Sequence, residues 1–278
     1  MKLSCGARTL DLSVPQIMGI VNVTPDSFSD GGHHHQRDAA VEHGLQLVAE
    51  GATILDIGGE STRPGAADVA LEEELARTIP VIQALRAQLD DEILISIDTS
   101  KPEVMRQAVR AGADIINDVR ALREPGALEA AAETEALICL MHMQGQPRTM
   151  QAAPHYQDLF GEIAAFLNER IAACESVGIG RQRLILDPGF GFGKTLEHNY
   201  RLLADLAPLQ KMDLPLLIGL SRKRMIGDLL ERPVADRAVG SVVASLLAVQ
   251  QGAQIVRVHD VAPMRDALMV WQATQQHR

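Results

Sequence analysis

The sequence predicts an α/β fold in which eight parallel strands and their helices close into a (β/α)8 TIM barrel. Its 278 residues suit a closed barrel of roughly 250 residues. Short apolar strands alternate with helical patterns, as in a parallel sheet buried on both faces. A glycine followed by a β-branched run also recurs, at Gly51, Gly112 and Gly252, where a helix is expected to end and a strand to begin.

The predicted strands share a continuous apolar run. They cover residues 17–21, 54–57, 93–97, 115–119, 137–141, 184–186, 216–220 and 255–258. Helical stripes lie between them, such as Val41, Leu45 and Val48. Residues 100–103, with the sequence SKPE, predict a capping box and a proline in the first turn of a helix. An open, doubly wound sheet is the alternative topology for the same alternation.

Composition and charge exclude several classes of protein. The chain is 46% hydrophobic and 22% charged, which permits a full core and argues against disorder. Its net charge of -10 argues against a nucleic-acid-binding surface, which needs a basic stripe. The three cysteines form no C-x-x-C pair, so neither a disulfide framework nor a zinc knuckle is indicated. With no apolar signal core or membrane span, we expect one cytoplasmic domain, residues 1–278.

Polar side chains follow nearly every predicted strand. They are Asn22, Asp56, Asp98, Asn117, His142, Asp187, Ser221, Lys223 and His259. One such residue alone is often a helix N-cap. Their repetition around the predicted barrel instead indicates a ligand site, because barrels carry their chemistry at the carboxyl ends of the strands.

Loops of three kinds surround this predicted mouth. Two long polar segments, residues 22–32 and 58–65, follow the first and second strands and are expected to lie over the mouth. Residues 191–195 resemble the end of a P-loop, but Pro188 occupies the place of its first glycine, so the phosphate-binding spacing fails. The run from His33 to His35 is typical of a solvated loop rather than a metal site.

Eight motifs occur in an order that resembles the dihydropteroate synthase family. They are NVTPDSFSDGG, GGESTRPG, ISIDTS, IINDV, LMHMQG, LDPGFGFGK, GLSRK and IVRVHDV. The similarity runs from about Met18 to beyond His259, and NVTPDSF with ESTRPG distinguishes the sequence from corrinoid methyltransferases of the same barrel fold. The resemblance implies a transferase of folate biosynthesis. Such an enzyme condenses 6-hydroxymethyl-7,8-dihydropterin pyrophosphate with 4-aminobenzoate to give 7,8-dihydropteroate and pyrophosphate.

The resemblance also implies a site for each part of the substrates. The pterin residues are Asp98, Asn117, Met141, Asp187, Lys223 and Arg257. These types suit a pterin, because carboxylates accept its N–H groups and a guanidinium can cover its ring. The pyrophosphate residues are Asn22, Thr62, Arg257 and His259. Mg²⁺ is the implied cofactor, with Asn22 as its ligand, since magnesium takes few protein ligands.

The second substrate and the chemistry are implied in the same way. The 4-aminobenzoate residues are Phe28, Thr62, Arg63, Pro64, Phe190, Ser221 and Lys223. The catalytic residues are Asp98, Lys223, Arg257 and the lid residue Asp30, acting in a dissociative, SN1-like substitution. Sulfonamides are expected to compete with 4-aminobenzoate, and a homodimer is expected, with no nucleic-acid or membrane partner. A P-loop-type hydrolase, a corrinoid methyltransferase and a non-catalytic pterin-binding protein remain alternatives.

Overall fold

The computed structural model describes residues 1–23, 33–61, 68–145, 150 and 154–277, and only the backbone of 33–35. The strands are β1 Lys2–Cys5, β2 Arg8–Asp11, β3 Gln16–Asn22, β4 Ile54–Gly58, β5 Leu94–Asp98, β6 Ile115–Asp118, β7 Leu137–Met141, β8 Leu184–Asp187, β9 Leu217–Ile218 and β10 Ile255–Val258. The helices are α1 His33–Glu50, α2 Leu71–Arg86, α3 Pro102–Ala111, α4 Ala127–Ala132, α5 Leu159–Ser176, α6 Leu196–Ala204, α7 Ala207–Gln210, α8 Arg224–Leu230, α9 Ala238–Gln250 and α10 Val261–Gln275.

Strands β3 to β10 form one parallel sheet that closes on itself. Its order is β8-β7-β6-β5-β4-β3-β10-β9. A parallel bridge between Leu186 and Leu216 joins the two ends, and the amide of Leu186 donates to the carbonyl of Pro215 at 2.9 Å. The predicted barrel is therefore confirmed, and the open sheet is excluded. The seventh predicted strand, residues 216–220, shortens to the two residues of β9.

The lower interior of the barrel is apolar, because alternate strand residues point inward. Its buried cluster contains Met18, Ile54, Leu94, Ile115, Leu137, Cys139, Ile185, Leu217 and Ile255. Four residues of the amino-terminal segment, Leu3, Cys5, Leu10 and Leu12, belong to the same cluster. The antiparallel hairpin β1–β2, which the sequence did not predict, thus closes the amino end of the barrel.

The predicted helix ends are mostly confirmed. Gly112 has a left-handed conformation after α3, with φ of 115°, and Gly51 and Gly252 also have positive φ. The capping box at residues 100–103 was wrong, although Pro102 begins α3 as predicted. The hydroxyl of Ser100 instead donates to the fully buried carboxylate of Asp118 on β6, which is the stronger acceptor.

No helix in the described part of the chain is long and apolar enough to cross a membrane.

Candidate active site

Four of the predicted pterin residues meet at the carboxyl ends of neighbouring strands. Asp98 on β5 is in register with Asn117 on β6, and Met141 on β7 is in register with Asp187 on β8. Each of these side chains is less than one-tenth exposed. Because in-register residues of a parallel sheet share a face, these four line the upper interior of the barrel.

A guanidinium group links Asp98 of this layer to a second carboxylate, Asp56 on β4. Arg257 on β10 donates from Nε to Asp56 at 2.6 Å and from Nη2 to Asp98 at 2.9 Å. Asn117 donates to the same oxygen of Asp56 at 3.2 Å. Asp56 is fully buried, and its other oxygen accepts no hydrogen bond within the described residues.

The charges of this group depend on its burial. Burial raises the pKa of Asp98 to about 7, with Arg257 opposing the shift and Asp56 adding to it. Burial also opposes the charge of Arg257, but Asp56 and Asp98 raise its pKa above the ordinary value, so it remains a cation. One cation between two carboxylates leaves a net negative charge when Asp98 is ionised, which suits a ligand that becomes positive.

Lys223 follows β9, the strand next to the β10 strand that carries Arg257. Its ammonium donates to the carbonyl of Phe190 at 2.5 Å and stands 4.7 Å from the centre of the Phe192 ring. Burial lowers its pKa to about 8, against the attraction of Asp187. Burial raises the pKa of Asp187, whose carboxylate accepts from the amide of Gly189 at 2.7 Å. The two groups therefore place opposite charges at one edge of the pocket.

The two rings of the loop after β8 have different surroundings. The sequence placed the Phe190 ring against 4-aminobenzoate, but this ring is fully buried in the core between strands and helices. The Phe192 ring instead belongs to a small cluster with Met141 and Met143 at the mouth. The structure therefore favours Phe192 as the ring that reaches a ligand. The repeat GFGFG contains no sequence signal that separates the two.

Ser221 and His259 lie at the ends of β9 and β10. The Ser221 hydroxyl is 2.9 Å from Nδ1 of His259 and accepts from the His259 amide at 3.1 Å. The sequence placed Ser221 at the start of a helix, but α8 begins only at Arg224, after an N-cap at Lys223. Its hydroxyl therefore joins the two strand ends rather than capping a helix.

Asn22 ends β3, where it is in register with Gly58 of β4. A side chain at Gly58 would stand 3.8 Å from the amide oxygen of Asn22 and 3.9 Å from a carboxylate oxygen of Asp98. Glycine therefore leaves space between these two groups. The other predicted site residues, Phe28, Asp30, Thr62, Arg63 and Pro64, lie outside the described residues, as do most of the two long loops.

Two residues of the site were missed as site residues by sequence reasoning. Asp56 was noted only as a strand-end residue, although a carboxylate within the apolar run ILDIG is itself a signal of buried chemistry. Lys194 was noted only as part of a failed P-loop, and it is 3% exposed at the edge of the mouth.

Known proteins resemble the chain over nearly its whole length. The family model described as "Pterin binding enzyme" matches residues 18–259. The dihydropteroate synthase of Escherichia coli K12 is 56% identical over 274 residues, covering 99% of this chain and 96% of that protein. That of Haemophilus influenzae is 54% identical over 274 residues, covering 99% of each.

Solved structures agree with these matches. The Yersinia pestis dihydropteroate synthase, in complex with a sulfonamide drug, superposes with a TM-score of 0.94 at 53% identity, covering 99% of this chain and 100% of that one. The Xanthomonas albilineans enzyme with 4-aminobenzoic acid gives 0.93 at 57% identity, covering 99% and 98%. The same species' enzyme with 7,8-dihydropteroate gives 0.90 at 54% identity, covering 99% of each chain. With this barrel and this mouth, the chain belongs to the dihydropteroate synthases, a family of pterin-binding transferases.

Proposed function

We propose that the chain joins dihydropterin pyrophosphate to 4-aminobenzoate by a dissociative substitution at the pterin methylene carbon. The observation that carries this mechanism is the Asp56–Arg257–Asp98 group, a net negative cluster above the apolar lower interior of the barrel. The family supplies the substrates, since relatives have been solved with 4-aminobenzoic acid and with 7,8-dihydropteroate. Burial makes the cluster's electrostatic effect larger than in water.

The pterin fits the upper interior of the barrel. Asp187 and Asp98 offer carboxylate oxygens to its N–H groups, and Asn117 both donates and accepts. Lys223, beside Asp187, suits the ring carbonyl or a ring nitrogen. Met141 and the guanidinium of Arg257 would cover the faces of the ring.

The pyrophosphate would lie nearer solvent, between Asn22 and His259. We propose Mg²⁺ as the cofactor, since the amide oxygen of Asn22 is the type of single protein ligand on which magnesium often relies. The described residues contain no group of three or more His, Cys, Asp or Glu that could hold a metal, which fits an ion held mainly by phosphate and water. Such an ion would neutralise charge on the leaving group. Thr62 would add a hydrogen bond to the same phosphate.

The 4-aminobenzoate would stand above the pterin. Phe28, Thr62, Arg63 and Pro64 are proposed to enclose its ring and carboxylate, with Ser221 and Lys223 below them. Phe192 takes the place of Phe190 among the ring contacts, because only the Phe192 ring lies at the mouth. The Yersinia pestis relative was solved with a sulfonamide, and we propose that such drugs compete here as mimics of 4-aminobenzoate.

In the proposed reaction the bond between the methylene carbon and the pyrophosphate oxygen breaks first. Its electron pair leaves with pyrophosphate, whose charge Arg257 and His259 stabilise. The resulting cation is delocalised into the pterin ring and stabilised by Asp98. The amine nitrogen of 4-aminobenzoate then bonds to the carbon, and an amine proton passes to water. Asp30 is proposed to complete the closed lid during this step.

The pKa of Asp98 predicts a pH dependence. Its carboxyl is ionised only above about pH 7, because burial raises its pKa to about 7. Stabilising a cation needs the ionised form, so kcat/KM for the pterin should fall as pH drops through 7, by up to about tenfold per pH unit. Steady-state rates between about pH 5.5 and 8.5 would check this. A flat profile across that range would show that the charge of Asp98 does not control the rate.

Pyrophosphate release, measured with and without 4-aminobenzoate, is the direct test of the reaction. Release that depends on 4-aminobenzoate and forms dihydropteroate supports it. Pterin binding without turnover would favour a non-catalytic or methyltransferase role.

In the same assay, Arg63→Ala should raise KM for 4-aminobenzoate or the pyrophosphate ester by about tenfold, through loss of a charged hydrogen bond. Unchanged kinetics would mean that Arg63 contacts neither substrate.

We also propose a homodimer that pairs through α9 and α10. Along α9, Val239, Val243 and Leu247 are spaced by four and are 78%, 53% and 46% exposed, an unusual row of apolar side chains. Val243→Glu should convert the dimer to a monomer in analytical ultracentrifugation. Val14→Glu is a matched control, because Val14 is 48% exposed beside the barrel's amino end. If both variants have the same mass in solution, Val243 does not lie in the dimer interface.

We also propose that the chain forms a single domain and resides in a reducing cytoplasm. Its support is the packing of the β1–β2 hairpin into the barrel and the state of the three cysteines. Cys5, Cys139 and Cys174 are all buried free thiols. Burial raises the pKa of Cys174 to about 11, which keeps that thiol protonated and unreactive.

A further inference from the structure

Lys194 is a buried lysine that the proposed reaction does not use, and burial lowers its pKa to about 7. It follows the loop after β8 and is 3% exposed. Its ammonium contacts three acceptors: Nδ1 of His142 at 3.0 Å, the carbonyl of Gly189 at 2.9 Å and the carbonyl of Phe192 at 3.2 Å. Three acceptors match its three protons, so the charged form is fully hydrogen-bonded in this position.

The protonation state of His142 allows it to accept one of these hydrogen bonds. Burial, together with the charge of Lys194, lowers the pKa of His142 to about 2. The imidazole is therefore neutral at physiological pH and can present a lone pair at Nδ1. Its backbone amide donates to the carbonyl of Asp187 at 2.8 Å, which ties the ends of β7 and β8 together next to Lys194.

The segment that Lys194 contacts, residues 189–193, is also held by the buried Phe190 ring and by the hydrogen bond from the Gly189 amide to Asp187. Gly189 has φ of 71°, and a Cβ there would stand 1.8 Å from the carbonyl of His142, so the chain approaches β7 very closely. The hydroxyl of Tyr156 donates to the carbonyl of Gly193 at 2.8 Å, and Asn199 accepts from the Gly191 amide at 2.7 Å. We name residues 189–193 the glycine turn.

The glycine turn carries the immediate surroundings of Lys223. The carbonyl of Phe190 accepts from the Lys223 ammonium at 2.5 Å, and the Phe192 ring lies 4.7 Å below it. Phe190 lies between the two backbone acceptors of Lys194, and Phe192 provides one of them. Any movement of the turn would therefore move the acceptor and the ring that place Lys223.

We propose that Lys194 is a positioning residue, which pins the glycine turn to the end of β7 and so sets the place and the charge of Lys223. The proposal rests on the function proposed above, because Lys223 is assigned there to the pterin. If Lys194 had only a structural role, replacing it would change the stability of the protein alone. A positioning Lys194 must also affect the titration of Lys223 and the affinity for the pterin.

The charged groups that face Lys223 from the strands are Asp187 on β8, Asp98 on β5 and Arg257 on β10. All three lie on strands rather than on the glycine turn, so they stay in place when the turn moves. Lys194 is a further charged neighbour, because the charge of Lys223 helps to lower the pKa of Lys194. Burial lowers the pKa of Lys223 to about 8, so pterin affinity should weaken as pH rises above that value. This alkaline limb is the signature to follow.

The test compares Lys194→Met with Arg183→Met in the full chain. Methionine keeps the length of lysine without charge or donors. Arg183 is the matched control, because it also donates to backbone carbonyls, of Ala131 and Ala136, but at the starts of the strands. Binding of dihydropterin pyrophosphate without 4-aminobenzoate would be measured by calorimetry from about pH 6.5 to 9.5, with Tm recorded for each variant.

We expect Lys194→Met to weaken pterin affinity at least about tenfold and to displace the alkaline limb. Arg183→Met should lower Tm while leaving affinity and limb unchanged. Equal behaviour of the two variants, or a limb that stays in place in Lys194→Met, overturns the proposal. If the wild-type protein turns over in the pyrophosphate assay, the proposed function stands even when the proposal for Lys194 fails.

If Lys194→Met does not fold, Tyr156→Phe takes its place. This change removes only the hydroxyl that bonds to Gly193, so it loosens the same turn with a smaller loss of stability. Displacement of the alkaline limb in Tyr156→Phe supports the proposal. An unchanged limb in a folded Tyr156→Phe protein contradicts it.

Discussion

Replacing Asp98 with asparagine is expected to lower kcat by about 10²- to 10³-fold while leaving the fold intact. Asparagine has nearly the same shape, and its amide oxygen can still accept from Arg257. It lacks the negative charge that would stabilise the pterin-methyl cation, so the loss should fall on kcat more than on KM. Pre-steady-state pyrophosphate release, with Tm as the measure of folding, checks both parts.

Asp118→Asn is the control for this change. Asp118 is also fully buried on the next strand, but it accepts from the backbone amides of Arg120 and Leu122 outside the barrel interior. We expect this variant to lose stability and keep kcat within about threefold. A near-normal kcat for Asp98→Asn, or equal losses in the two variants, would remove Asp98 from the mechanism.

Replacing Arg257 with methionine is expected to have the largest effect on stability. The change leaves the carboxylates of Asp56 and Asp98 close together without their shared cation. Breaking a buried ion pair on one side costs about 3–5 kcal/mol. Turnover should also be lost, because Arg257 is proposed to stabilise the leaving pyrophosphate. Urea unfolding and the pyrophosphate assay would measure the two losses separately.

A second substitution separates these two roles. Asp56→Asn in the Arg257→Met background removes one of the unpaired charges, so part of the lost stability should return. Turnover should not return, since the cation at the leaving group is still absent. Strictly additive losses in the double variant would show that Asp56 and Arg257 do not act as one group.

The barrel could be predicted from sequence because its signals are local and repeated. Each strand is a short apolar run, and helix ends such as Gly112 are marked by a residue type that favours positive φ. The β1–β2 hairpin was missed because its strands are only four residues long and are joined without a strong turn signal. Its position below the barrel depends on long-range packing, which no local pattern contains.

The site was predictable only as far as side chains follow strand ends. Asp98, Asn117 and Asp187 lie where the register of the strands places them. Phe190 and Phe192 could not be separated, because their orientations depend on the backbone of the glycine turn. The capping box at Ser100 failed for a similar reason, since the competing acceptor on Asp118 is distant in sequence.

The buried apolar cluster of the lower interior, with the β1–β2 hairpin packed against it, closes the barrel at its amino end, so ligands reach the pocket from the carboxyl ends of the strands. Both substrates and both products must pass through this one opening. A pterin at the bottom of the pocket cannot dissociate while another molecule is bound above it. We therefore expect the pterin to bind before 4-aminobenzoate, and excess 4-aminobenzoate to slow the dissociation of bound pterin. The order in which ligands bind and dissociate would then depend on the closed amino end of the barrel, far from the reacting atoms.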